Sequence, residues 1–180
     1  VWISIIAITS NFIATKNVVS EELLSVVTTA SRSVQWELQS YVNLAEAFAT
    51  DSYLLSDEYS AQEKQAHIAE KATAHGLVGG DMLDTSGIGL DGTDYSSSES
   101  FKVALDGKVF ISVPTDVGNG TKMMFIAAPI WADGVENSEV VGVIYLIPSP
   151  TLLDDIVKSI KSSANGITNI LDNTGVVIAT

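Results

Sequence analysis

Glu63, His67 and Glu70 fall at i, i+4 and i+7, so a helix would carry two carboxylates and an imidazole on one face. Such a set could ligate a divalent metal. The same spacing also describes a solvated face with a helix-stabilising Glu–His pair, and that is the reading adopted. Asp91-Gly-Thr-Asp94 places two carboxylates about a Gly turn, as calcium loops do, but lacks the later Glu of an EF-hand and reads as a plain turn. Ser96, Ser97 and Ser98 offer hydroxyls, yet with two His elsewhere they form no triad phrase, and there is no nucleophile elbow. Gly79-Gly80 and Gly87-Ile-Gly89 fall short of phosphate-loop spacing. With no cysteine, thiolate metal sites and disulfides are excluded. The residue chemistry points to a domain that holds a small molecule without transforming it: no enzyme, no metal, no cofactor.

The elements that would position these groups are legible from periodicity. Residues 18–50 contain no Gly or Pro. Val27, Ala30, Val34, Leu38, Tyr41, Ala45 and Phe48 recur there at spacings of three and four, a stripe close to a coiled-coil seam. The predicted helix would span roughly 50 Å. Its stripe can pack on the chain's own sheet, pair with a second copy, or do both. Residues 51–56 break it, and Ser60-Ala-Gln-Glu63 is a capping box opening a second helix to about Ala74, ended by His75-Gly76. His75 would sit at the negative end of that helix dipole. Strands are predicted at 77–83, 109–113, 122–131 and 139–147, with a turn at 84–87, a loop at 88–97 and a short helix at 99–105 closed by Asp106-Gly107. Gly118-Asn119-Gly120 and Asp133-Gly134 mark the later turns. Residues 151–162 form an amphipathic helix through Leu152, Leu153, Ile156, Val157 and Ile160. Residues 166–179 repeat the phrase of an apolar strand, Asp, two small residues and Gly, which suggests a second, related lobe.

Composition sets the outer bounds. The 180 residues are 46% hydrophobic, enough for a core, and fit one domain or one and a fragment. A net charge of −13 repels nucleic acid and anionic lipid surfaces. The opening Val-Trp-Ile-Ser-Ile-Ile-Ala-Ile-Thr-Ser-Asn-Phe-Ile-Ala carries no charge and is shorter than a full span of roughly 20 apolar residues. It is read as the end of a transmembrane helix, with a buried helix start or a signal-peptide remnant as the alternatives.

In order, these phrases resemble the double Cache ectodomains of bacterial methyl-accepting chemotaxis receptors, which are PAS-like sensors. The resemblance rests on the long helix, Leu-Asp-Thr-Ser-Gly at 83–87, the Ser-Glu-Ser-Phe helix, the strands to Pro148, and Leu-Asp-Asn-Thr-Gly-Val-Val-Ile-Ala at 171–179. It implies an α+β fold: a long N-terminal helix packed on a PAS-like antiparallel sheet, with the start of a second lobe at the C-terminus. The implied domains are 1–16 as the end of a membrane helix, 17–150 as the long helix and membrane-distal lobe, and 151–180 as a connecting helix and first strands of a truncated membrane-proximal lobe. It also implies a cell-membrane receptor with its sensor outside the cytoplasm, a homodimer through the long helix, and a small-molecule ligand.

Positions matched to the cavity of that family are Tyr95, Ser98, Ser100, Phe101, Thr115, Asp116, Phe125 and Tyr145. Their hydroxyls can donate and accept toward a neutral ligand, although the aromatics also suit an ordinary core. Amino-acid-binding relatives carry Arg where this chain has Ser98, an aromatic at Ser100, a Tyr near Thr115 and an amine-binding Asp near Ile147. An α-carboxylate wants a bidentate guanidinium and an ammonium wants a buried carboxylate. A standard free amino acid is therefore not the expected ligand. The resemblance implies a chemotaxis sensor; the same ectodomain precedes histidine kinases and diguanylate cyclases. A secreted or pilus-like structural subunit is the alternative of another class, predicting filaments and no ligand cavity.

Overall fold

A computed structural model describes residues 2–118, 121–159, 169–171, 175 and 177–179. Helix α1 runs without interruption over Trp2–Ala49, longer than the predicted segment because the apolar opening continues into it. At ~1.5 Å per residue it is about 70 Å long. Among the described residues no helix is long and apolar enough to cross a membrane. The expectation that residues 1–16 end a membrane span rests on side chains outside the described ones.

The lobe wraps the C-terminal end of this rod. Helix α2 (Ser52–Leu55) is a single turn inside the predicted break, capped by Asp51, whose side chain accepts from the Tyr53 amide. Helix α3 (Ala61–Ala74) opens on the predicted capping box, with Ser60 and Glu63 bonded reciprocally. It ends at His75 and at Gly76, whose φ of 70° is left-handed. Strand β1 (Gly79–Leu83) leads through the 84–98 loop to α4 (Glu99–Leu105), which closes at Asp106 as expected. Strands β2 (Phe110–Ile111), β3 (Thr115–Asp116), β4 (Lys122–Met123), β5 (Ile126–Trp131) and β6 (Val140–Ile147) follow. A 3-10 turn at Ala132–Gly134 joins the last two.

The main sheet is antiparallel in the order β1-β6-β5-β2, and β3-β4 form a separate hairpin. The single predicted strand at 122–131 is therefore two. Its break has a local cause: the Phe125 amide donates to the Ser112 side chain and its carbonyl accepts from the Ser112 amide, each at 2.8 Å. The hydroxyl stands in for a backbone acceptor, and Pro114 next door has no N–H to extend the ladder.

Alternation along the strands divides the sheet into two faces. Ile126, Ala128, Ile130, Ile144 and Leu146 join Ala45, Phe48, Leu54, Ile68 and Ala72 in one core beneath α1 and α3. Leu83, Ala127, Val143 and Tyr145 point the other way, with Phe101 and Ala104 of α4. Each large side chain so buried contributes about 1.5–3 kcal/mol. A third cluster joins Met124 to Leu152, Leu153 and Val157 of helix α5 (Leu152–Ser159), against Leu38 and Tyr41 of α1. The last predicted residues of that helix, 160–162, lie outside the described ones. Strands β7 (Ile170–Leu171) and β8 (Val177–Ala179) pair antiparallel, as the sequence leads one to expect; the turn expected at 172–175 lies largely outside the described residues.

The stripe on α1 has two fates. Ala45 and Phe48 are buried in the lobe, whereas Val27 is 61% exposed and Leu24, one step before it, 68% exposed.

Candidate functional site

Six of the eight predicted site residues meet on the α4 face of the sheet. Tyr145 is central. Its ring lies 5.4 Å from that of Tyr95 and 5.6 Å from that of Phe125. Phe101 packs in the same cluster. Thr115 and Asp116 stand apart, both exposed on β3. Thr115 Oγ1 donates to the Val113 carbonyl, and Asp116 accepts from the Gly118 amide.

The serines form a directed hydroxyl chain. Ser98 caps α4, accepting from the Phe101 amide at 3.2 Å, and donates to the Tyr95 carbonyl at 2.8 Å. Ser100, 5% exposed, donates to Ser98 at 3.2 Å. Both serine protons are thereby used, so the 2.8 Å contact between Ser100 and Tyr145 runs from the phenol to the serine. Burial pushes the Tyr145 phenol above its ordinary pKa, which keeps that proton in place. The phenol oxygen has spent its donor and retains acceptor lone pairs.

A residue that sequence reasoning missed lies beside it. Asp81 of β1 is the cross-strand partner of Tyr145 and shares its face of the sheet. It is only 7% exposed. Its Oδ1 accepts from the Met82 amide at 2.8 Å and the Leu90 amide at 3.2 Å. Its Oδ2 is buried with no partner among the described residues. Burial raises the pKa of this carboxyl, the two amides pull it back, and the Asp91 charge raises it again. Gly89 is the neighbour that permits the packing: a Cβ there would collide with Asp81 Oδ2 and lie 3.1 Å from Asp91 Oδ1. Tyr95 sits in the field of the same carboxylates, its pKa raised by burial, then by Asp91 and Asp81. The signal was present in the sequence: Asp81 and Leu83 have the same parity on a strand, so a buried Leu83 turns Asp81 inward too.

On the α3 face the side chains are engaged in contacts within the fold. Among the described residues no group of three His, Asp or Glu could hold an ion. Glu63 is used in the cap, and His67 Nε2 meets Asp51 at 2.7 Å, where Lys71 also binds at 2.6 Å. His67 and Tyr59 both stack on Tyr53. The carboxyl of Asp51 is opposed by burial, yet Lys71, His67 and the Tyr53 amide hold it at about 2. His75 ends α3 as expected, its ring edge-on to Phe48. Elsewhere, a cleft of about 360 Å³ lies between Pro114, Lys122 and Met124 and the start of α5.

Neither a family model nor a curated protein matches the sequence. Solved structures do match the fold. The ligand-binding domain of the Pseudomonas aeruginosa amino acid chemoreceptor PctC, in complex with GABA, is 16% identical with a TM-score of 0.67, over 85% of this chain and 70% of that one. The ligand-binding domain of the Campylobacter jejuni chemoreceptor Tlp3, with 4-methylisoleucine, is 15% identical with a TM-score of 0.65, over 88% and 66%. The sensor domain of the Vibrio cholerae histidine kinase DctB is 15% identical with a TM-score of 0.62, over 80% and 60%. The chain thus spans about two thirds of the length of these domains. It has the fold of the chemoreceptor ligand-binding domains, the Cache-type sensor fold that its sequence resembles.

Proposed function

We propose that this chain is the extracytoplasmic sensor of a chemotaxis-type receptor, binding a small molecule between α4 and the sheet and passing the change to α1. One observation carries the reading. Strands β5 and β6 present Ala127, Val143 and Tyr145 to the candidate site and Ile126, Ala128, Ile144 and Leu146 to the core shared with α1. A ligand that shifts Tyr145 therefore moves strands that pack directly on Phe48 and Ala45. Close-packed cores transmit such shifts and do not absorb them. A ligand moves the equilibrium only by its difference in affinity for the two positions. The serine hydroxyls of the site are committed to one another and to the Tyr95 carbonyl, which supports binding without transformation.

The neighbours that bind amino acids do not support excluding that class outright. What argues against an α-carboxylate is local. Arg32, the only arginine, lies on the exposed part of α1, and Lys102 donates to the Ser97 carbonyl outside the cluster. Exposed Leu24 and Val27 support pairing of α1 with a second copy, and the apolar opening supports anchoring to a membrane. The DctB likeness favours a second reading, the sensor of a histidine kinase, on the same site. The output domain joined to the sensor separates the two.

The test is a thermal-shift screen of polar metabolites, followed by calorimetry. A binder should raise the melting temperature, and Tyr145→Ala should abolish the rise while α1 stays folded by circular dichroism. Absence of any binder, or binding indifferent to Tyr145, overturns the reading.

A further inference from the structure

We infer that the end of the lobe around Trp131 docks a soluble protein, through a basic side chain of that partner. The surface is separate from the site beneath α4: Trp131 lies four residues along β5 from Ala127, about 13 Å at the rise of a strand. The indole sits where α1, α4 and β5 all end. A Cβ at Gly107, just past α4, would lie 2.7 Å from Trp131 Cη2, so the bare glycine is what seats the ring edge. Trp131 stays partly exposed, and two clefts meet at it and at Gly134. The smaller, about 210 Å³, is lined by Val109 and Pro129 and carries Glu46 of α1 and Glu136 of the β5–β6 connection. The larger, about 580 Å³, is a shallow trough over Leu55 and Val141. Val141 is 43% exposed, and Val135 on the same connection 59% exposed.

An accessible tryptophan amid aliphatic side chains, with a charged rim, is the make-up of a protein interface. A small-molecule pocket encloses most of its ligand, whereas both clefts here open to solvent. The connection that forms one wall is already ordered. The Ala132 amide donates to the Glu139 carbonyl at 2.8 Å, and the Ser138 amide to the Val135 carbonyl at 3.1 Å. Ser138 Oγ donates to the Ala132 carbonyl at 3.0 Å, and Asn137 takes the left-handed φ of 64° that the turn requires. A surface fixed in advance loses less entropy on binding. The rim sets the charge of the partner. Among the described residues no Lys, Arg or His lines either cleft, and no ion pair engages Glu46 or Glu136. An arginine or lysine laid on the indole gains cation–π attraction and carboxylate partners together. A second copy is a poor occupant, because it would set the same carboxylates and a net charge of −13 against themselves. Docking here reaches α1 directly, since Glu46 belongs to its last turn.

The probe is a phage-displayed library of random linear peptides, panned against the whole native chain. Enriched peptides are then titrated, by fluorescence polarisation, on the native chain, on Trp131→Ala and on the double variant Glu46→Gln with Glu136→Gln. The expected result is enrichment of Lys or Arg beside apolar residues, with affinity about tenfold or more weaker in both variants. Binding should also weaken as salt rises. Enriched peptides without a basic residue, basic peptides that bind every variant alike, or no enrichment at all overturn the inference. Argininamide binding as tightly as the peptides would make the site one for a small cation and refute a protein partner. Dimers in sedimentation that disappear in Trp131→Ala would make the occupant a second copy, and refute it equally. Should Trp131→Ala fail to fold, the double variant decides, both its positions being exposed, and unaltered peptide affinity there refutes the inference. Tyr145→Ala should bind the peptides as the native chain does, so failure here leaves the sensor reading standing.

Discussion

Replacing Asp81 by Asn should make the empty domain more stable, an unusual direction for a change at a buried polar residue. The asparagine Oδ1 can still accept from the Met82 and Leu90 amides, so the brace between β1 and the loop survives. What disappears is a buried carboxylate oxygen with no partner, a group that costs about 1–3 kcal/mol, and more when charged. The new amide nitrogen is itself a poorly satisfied donor, which returns part of the gain, although it is neutral and Asp91 lies nearby. The net expectation is a gain of about 1 kcal/mol, or a melting temperature higher by about 2–4 °C for a chain of this size. The pH dependence gives a sharper check. The folded pKa of Asp81 lies above its ordinary 3.8, raised first by burial. Its contribution to stability is therefore fully present below pH 3.8 and lost as pH rises through the folded value. Asp91 and Tyr95 from the loop and Tyr145 from β6 face it, and none supplies a compensating positive charge. The advantage of Asp81→Asn should accordingly widen from pH 4 to pH 7. Thermal melts of both proteins at pH 4, 5.5 and 7 measure it. A less stable variant, or a difference that does not change with pH, would show that the carboxylate is satisfied and would refute the reasoning.

Three further outcomes are expected. Tyr145→Phe removes the donor to Ser100 and should cost about 1 kcal/mol in chemical denaturation, since Ser100 keeps its bond to Ser98. Asp51→Asn should destabilise by about 1 kcal/mol at neutral pH, a modest figure because Lys71 is partly exposed and screened. Its folded pKa of about 2 is below the ordinary 3.8, so the native carboxylate stabilises above pH 3.8 and loses that effect as pH falls toward 2; urea melts at pH 7 and pH 2 should show the gap closing. Phe48→Ala empties a fully buried position between α1 and the sheet and should cost about 3–5 kcal/mol by urea unfolding, with uncoupling of any ligand effect on α1.

The elements with strong local chemistry were legible in the sequence. The Ser60–Glu63 capping box, the Gly76 and Gly107 terminators and the amphipathic start of α5 are set by neighbours within four residues, and each lies where periodicity places it. The alternation that sends Tyr145 to one face and Ile144 to the other is equally local. What was not legible depended on partners distant in the chain. The break at Met124-Phe125 arises because Ser112 lends a hydroxyl to the ladder, a pairing over 13 residues that no period records. Thr115 and Asp116 were matched to a cavity, yet the Pro114 interruption carries them onto a separate hairpin. Asp81 carries no local motif of its own: its place follows from parity with Leu83 and from register with Tyr145 across the sheet.

The most direct measurement is a crystal structure of the chain soaked or grown with a metabolite that raises its melting temperature. Density enclosed by Tyr95, Phe101 and Tyr145 behind α4 is the expected result. Density in the cleft between Pro114 and α5 instead, with the α4 face unchanged, would contradict it.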